Sequence, residues 1–235
     1  MDMKNVRLCA CWVTLCLTAP HLSASPNMTV KDWDDFQGML MAERIMSLRE
    51  EFKDAEKLKA YLKYFFLAYD VPRDNLALEF KRYLPVSDEV MRDALISLVR
   101  ESSEKVGWTR DKYQQDYSGE VSNARCQMHF AIRWLWVCTD AETKKLLWDI
   151  AMDSAKDRVY RRAATEAYLR RADVDVQETK DFFKSLFEDE ARLPADHITV
   201  FKHGIETVLK EKMDETKREE IDAAYRVITA REKKE

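Results

Sequence analysis

The stretch DRVYRRAATEAYL at residues 157–169 carries the pattern that decides the fold class. Val159, Ala163 and Ala167 follow one another at intervals of four residues, which places them on one face of an α-helix. A small residue in the middle of such a face lets the backbone of a neighbouring helix come close. The stretch therefore predicts a helix that packs tightly against other helices.

The same spacing recurs along the chain. Its other copies are Val90-x3-Ala94-x3-Leu98, Gln127-x3-Ala131-x3-Leu135 and Val200-x3-Gly204-x3-Val208. The four central small residues are 37, 32 and 41 positions apart, and each of these helices follows a more acidic helix across a short break. This period predicts stacked antiparallel helical hairpins. The alternative is an irregular helical bundle in which small residues fall on these faces by chance.

The composition supports an all-α fold. The chain has 235 residues, 46% of them hydrophobic, which is enough for one sizeable core, but only four glycines and five prolines. Sheet proteins need turn residues at short intervals, and phosphate-binding loops need clustered glycines. The sequence therefore argues against β proteins and against nucleotide-binding α/β enzymes.

Helix start and stop signals divide the chain. Ser87 is a predicted N-cap, and Thr139 with Glu142 and Asp175 with Glu178 match the capping box. The predicted helices cover residues 29–52, 54–71, 73–84, 87–105, 108–117, 121–138, 140–154, 157–172, 176–190, 196–211 and 214–233.

Two of these helices are similar to a known repeat family. Residues 157–169 resemble the second helix of a HEAT repeat of the short bacterial type, and SDEVMRDAL at residues 87–95 resembles a second copy. The resemblance extends loosely over residues 85–211. It implies a HEAT-like α-solenoid whose second helices line a concave surface, a class mostly used to bind other macromolecules. It supplies no catalytic residues.

The N-terminus has the pattern of a secretory signal peptide. Lys4 and Arg7 precede an apolar run at residues 8–19, and small residues lead to a cleavage site after Ala24. The run is shorter than the roughly 20 residues that span a bilayer, so we expect export to the periplasm or the extracellular space without stable membrane insertion. A lipid anchor is disfavoured, because Cys11 lacks a preceding apolar core and Cys16 follows the large Leu15.

The predicted organisation has three parts. Residues 1–24 form the signal peptide, and residues 25–84 form an N-terminal helical cap or subdomain. Residues 85–235 form the HEAT-like repeats and end in a charged C-terminal helix, as a solenoid needs a polar cap.

The candidates for metal or nucleophilic chemistry are few. Cys126 and His129 lie one helical turn apart, a spacing that could begin a metal site or a nucleophile–base pair. Zinc needs three or four converging ligands, whereas His197 and His203 are six positions apart and face different sides of a helix. We therefore predict no metal site, no cofactor and no catalytic residue, and interpret the pair as a buried thiol beside a surface histidine.

The two cysteines beyond the signal peptide are predicted to stay separate. Cys126 and Cys138 lie 12 residues apart in one predicted helix, which corresponds to a rise of about 18 Å. A disulfide needs Cα atoms within about 7 Å. We expect two buried thiols.

Tryptophans mark the end of the same helix. Trp134 and Trp136 lie in a segment, residues 128–137, that is apolar on nearly all sides. Such a helix is usually buried at the centre of a fold. The alternative is an aromatic surface for a partner.

The charge pattern suggests where a partner would bind. The whole chain has a net charge of −4, which does not favour nucleic acid. Two predicted inner helices nevertheless carry a basic strip, with a row of Arg125, His129 and Arg133 beside a row of Arg162, Glu166 and Arg170. This strip fits an acidic partner protein or an anionic glycan. The alternative is a solvated helix face with ordinary ion pairs between successive turns.

Together these features predict a non-catalytic, exported helical-repeat protein that acts as a protein-interaction or scaffold module. The alternative is a secreted, hydrolase-like enzyme whose site forms in a folded cleft and has no sequence signature.

Overall fold

The computed structural model describes residues 53–68, 77, 86–109, 119–187, 195–212, 219–223 and 225–226. Over these ranges the chain forms helices and no strand, which confirms the all-α prediction. The predicted signal peptide and the predicted helices at 29–52, 73–84 and 108–117 lie wholly or largely outside the described residues. Every described residue belongs to the unit Ile45–Glu235.

Seven longer helices follow one another. They are α1 (Ala55–Ala68), α2 (Asp88–Val106), α3 (Gly119–Trp134), α4 (Ala141–Met152), α5 (Arg158–Arg170), α6 (Val176–Phe187) and α7 (Ala195–Lys212). A 3-10 turn, Leu135–Val137, follows α3, so the α-helix predicted to reach Cys138 ends four residues earlier. Residues 219–223 and 225–226 are also helical.

Two predicted helix starts are confirmed in atomic detail. The backbone N–H of Glu178 donates to Asp175 Oδ1 at 2.8 Å, and the N–H of Asp175 donates back to Glu178 Oε2 at 3.2 Å. This is the reciprocal capping box that the sequence predicted for α6. Ser87 caps α2 by accepting from the N–H of Val90 at 3.3 Å.

The predicted start of α4 is wrong by one residue. Asp140, not Thr139, is the N-cap, and its Oδ1 accepts from the N–H of Thr143 at 2.8 Å. Its other oxygen, Oδ2, accepts from the Thr143 hydroxyl at 2.7 Å. The Asp140 carboxylate therefore satisfies both donors of Thr143. It caps the helix in place of the predicted capping box of Thr139 and Glu142.

The four helices with a central small residue contact one another in chain order. Helix α2 packs against α3, α3 against α5, and α5 against α7. Ala94, Ala131, Ala163 and Gly204 are all buried. Helix α4 packs against α5 and α6, while α1 packs against α2 and α3. The small residues therefore lie inside the protein, where neighbouring helices approach one another.

Aromatic rings fill the space between α1 and α3. Trp134 is fully buried, and its ring centroid lies 5.4 Å from that of Phe65 and 5.0 Å from that of Phe66. The interpretation of this tryptophan as a core residue is confirmed. Trp136, in the 3-10 turn, is only half-buried.

The C-terminal helical residues pack on α6. Tyr225 is buried with its ring 5.4 Å from that of Phe183, and Lys180 Nζ contacts Glu220 Oε2 at 3.1 Å. These contacts attach the charged C-terminal part of the chain to the preceding helices.

Candidate functional site

Three of the six predicted partner-binding residues meet in one ionic cluster. Arg162 Nε lies 2.9 Å from Glu166 Oε1, one turn further along α5, and Arg133 Nη2 of α3 lies 3.5 Å from Glu166 Oε2. Glu166 is only 5% exposed. The carboxylate is therefore held inside the protein between two guanidinium groups, and it connects α3 to α5.

A glycine of α7 completes the surroundings of this carboxylate. A Cβ atom added to Gly204 would lie 2.3 Å from Glu166 Oε1, well inside van der Waals contact. The α7 backbone thus lies directly against the Glu166 carboxylate. A side chain at 204 would displace the Glu166 carboxylate, so glycine permits this close approach between α5 and α7.

His129 lies beside the cluster in its neutral form. Burial, together with the charges of Arg133 and Arg162, lowers the pKa of His129 to about 3. Its Nδ1 atom is buried without a hydrogen-bond partner, and its ring contacts Phe130 edge-on at 5.2 Å. His129 is therefore half-buried with its Nδ1 atom enclosed, rather than a fully exposed surface histidine.

The thiols differ from the prediction in one respect. Cys126 and Cys138 are both free, as the helical spacing predicted, and Cys138 is buried. Cys126 is exposed, because α3 turns Ala124 and Met128 into the core and position 126 lies on the opposite side of the helix.

The remaining predicted residues extend the strip in both directions. Arg125 is half-buried two turns before Arg133, and its charge partly opposes the burial that raises the pKa of Tyr160 to about 12. Arg170 is half-buried one turn beyond Glu166 on α5. The predicted strip therefore has ion-paired residues at its centre. The acidic residue among them, Glu166, is buried.

Two other arginines of this segment, Arg161 and Arg171, are structural. Arg161 is 1% exposed, donates from Nε to the carbonyl oxygen of Ala151 at 3.0 Å, and lies over the ring of Phe201 with 5.4 Å to the centroid. Its position one residue before Arg162 turns it about 100° around the helix and into the core.

Arg171 is the second buried arginine. Its guanidinium donates to the carbonyl oxygens of Cys138 and Asp140, the latter at 2.9 Å, and makes two bonds of 2.9 Å to the Asp173 carboxylate. It therefore ties the end of α5 to the segment before α4. In sequence, neither arginine differs visibly from its exposed neighbours.

Neighbouring lysines stabilise the ionised form of two carboxyl groups, those of Glu101 and Asp153. Ion pairing with Lys63 holds the pKa of Glu101 below its usual range, and the bond to Lys156 does the same for Asp153.

Among the described residues, no group of three or more His, Cys, Asp or Glu side chains is placed to hold a metal ion. None of the helices described is long and apolar enough to cross a membrane.

An open depression of about 250 Å³ lies on α4 and α5, apart from the ionic cluster. It is lined by Ala141, Lys144, Lys145, Trp148 and Tyr168. Lys144 and Lys145 are paired there with Glu178 and Asp149. Their charges are therefore already compensated within the chain.

Comparison with known proteins finds no matching family model, no matching curated protein and no matching solved structure. The HEAT resemblance therefore stays a prediction.

Proposed function

We propose that this chain is a non-catalytic helical-repeat protein that binds an acidic partner protein along the helices α3 and α5. The observation that carries the proposal is the basic excess of these two helices at their shared ionic cluster. The two helices together contain six arginines and two glutamates, and Arg133 and Arg162 both contact the carboxylate of Glu166. An acidic partner would compensate this excess.

The order of helix contacts supports a stack of hairpins as the framework of the site. Helices α2, α3, α5 and α7 form a consecutive row with a buried small residue at the centre of each. Helix α4 contacts both α5 and α6 and stands in the place of the first helix of a hairpin with α5. In a HEAT-like stack, the row α3–α5–α7 would line the inner surface.

The proposed location follows from the sequence alone. The basic start and the apolar run at residues 8–19 direct the chain to export, with cleavage after Ala24. The site would then meet its partner in the periplasm or outside the cell.

Affinity capture from the exported fraction tests the binding proposal. The wild-type chain is compared with R125E/R162E and with the control K57E/K145E, which changes the net charge equally at two exposed lysines of α1 and α4. Mass spectrometry should identify a protein that the wild type and the control retain and that R125E/R162E loses. Circular dichroism confirms that all three chains fold. Equal recovery with both variants would overturn the proposal.

A further inference from the structure

We propose that Arg158, Val159 and Arg162, at the start of α5, form a carboxylate-binding edge that takes an acidic segment of a partner protein. This inference rests on the proposed function and narrows it to one edge and one ligand chemistry. Arg158 and Val159 lie outside the six predicted site residues.

The guanidinium of Arg162 contacts Glu166 and is partly exposed. Its Nε lies 2.9 Å from Glu166 Oε1. The side chain is still 35% exposed, and its Nη1 and Nη2 atoms together form the end of the guanidinium fork. A planar pair of N–H donors in this arrangement matches the two oxygens of a carboxylate. Glu166 is thus a positioning residue for Arg162.

Arg158 extends the positively charged surface at Arg162 by one helical turn towards the start of α5. It precedes Arg162 by four residues, which corresponds to a rise of about 6 Å on the same face of α5. Within the described part of the chain, Arg158 forms no ion pair. The neighbouring carboxylate of Asp157 is buried and accepts from the N–H of Val159 at 2.7 Å, so it is directed to the helix start.

The spacing of the two arginines matches acidic side chains of an extended peptide. Alternate side chains of an extended strand point to the same side about 6.6 Å apart. Carboxylates at such positions would face Arg158 and Arg162 together. The first turn of α5 contains no acidic residue that would repel them.

Val159 favours a protein ligand over a sulfated glycan. Its side chain is 39% exposed, and it is one of only two large hydrophobic residues exposed among those described. It lies beside Arg162, three residues earlier on the helix. A peptide also offers apolar side chains that can contact Val159, whereas a sulfated glycan presents mainly charged and hydroxyl groups.

Isothermal titration of the full-length chain with a synthetic 12-residue peptide of alternating Glu and Leu tests the edge. The matched peptide has Gln in place of Glu. We expect the Glu peptide to bind at least tenfold more tightly, and we expect binding to weaken as salt is raised. R162K should weaken binding about tenfold, because lysine keeps the charge but lacks the paired donors. R158Q should weaken it similarly, and the control K57Q should not.

Two alternative ligands, a glycan and a second copy of the chain, would give different experimental results. If a heparin dodecasaccharide binds and the Glu peptide does not, the ligand is a glycan and the inference fails. If R162K abolishes self-association in sedimentation, the edge binds a second copy of the chain and the inference fails. It also fails if R162K and R158Q bind the peptide as the wild type does.

The same variants separate this inference from the proposed function. If a captured partner is lost by R125E/R162E but no Glu peptide binds, only the carboxylate edge is wrong. If capture is equal for R125E/R162E and K57E/K145E, the proposed function itself is wrong.

Discussion

Arg158 and Arg162 lie at the surface of α5, whereas Arg161 lies in the core and Arg171, just past the end of the helix, is fully buried. The four residues have the same chemistry and differ only in the direction in which the helix turns them. Arg162 contacts Glu166 through Nε, and its side chain is still 35% exposed. Arg171 uses all of its nitrogens on neighbouring oxygens. The comparison teaches that the basic charge of this segment has two separate uses, holding helices together and meeting a ligand.

The buried arginines must be compensated more completely than the surface ones. Moving a charge out of water is costly unless it is paired and hydrogen-bonded. The oxygens around Arg171 come from the end of the 3-10 turn, the N-cap of α4 and the loop after α5. Its removal would leave the buried carbonyl oxygen of Cys138 without this donor, whereas water can take the place of a surface arginine.

The largest expected effect is therefore on Arg171. R171M keeps much of the side-chain volume but removes the donors to the Asp173 carboxylate and to the carbonyl oxygens of Cys138 and Asp140, and we expect a loss of about 3 kcal/mol in the free energy of unfolding. The matched variant R158M should change it by less than about 0.5 kcal/mol. Urea denaturation monitored by circular dichroism measures both. Similar losses for the two variants would remove the distinction between buried and surface arginines.

An intermediate effect is expected at Gly204. G204A gains about 1 kcal/mol of helix propensity but forces the Glu166 carboxylate away from Arg162, so we expect a net loss of about 2 kcal/mol. In an E166A background the obstructing carboxylate is absent, and the same substitution should become neutral or stabilising. Urea denaturation of the four chains of this double-mutant cycle tests the contact. Additive effects would show that Gly204 and Glu166 do not interact.

His129 is expected to make the free energy of unfolding depend on pH, with an effect no larger than that expected for G204A. Its pKa is lowered to about 3 in the folded chain but is near 6.5 when unfolded, so the unfolded state binds the proton first as pH falls. Stability should decline from pH 6.5 downward, by about 2 kcal/mol at pH 5.0 at most. H129Q should lack this component. Urea denaturation at pH 7.5 and 5.0 compares the two chains, and an equal decline in both would contradict the assignment.

The smallest expected effect on stability is that of R162K. Lysine retains a positive charge near Glu166, Arg133 remains beside the same carboxylate, and the replaced side chain is 35% exposed. We expect a change below about 0.5 kcal/mol in the free energy of unfolding. A thermal melt beside the peptide titration separates stability from binding. A loss as large as that of R171M would place Arg162 with the structural arginines.

Local patterns in the sequence predicted much of the fold and part of the site. The capping box of Asp175 and Glu178 was predictable because its partners lie three residues apart and need no tertiary context. The small-residue positions Ala131 and Gly204 were predictable as packing positions from their spacing. The cap of α4 was misassigned because Thr139 and Asp140 are both good caps, and a single hydrogen-bond network decides between them.

The sequence by itself determined the helical class, most helix positions and the concentration of arginines in α5, because periodicity, caps and the scarcity of glycine and proline are local properties. Only the tertiary structure decided which of these arginines are buried, that Glu166 lies against the backbone at Gly204, and that Cys126 is exposed while His129 is half-buried. Those outcomes depend on how neighbouring helices are rotated about their axes. That rotation is set by contacts between residues 33 and 38 positions apart, those of Glu166 with Arg133 and with Gly204 across the row α3–α5–α7.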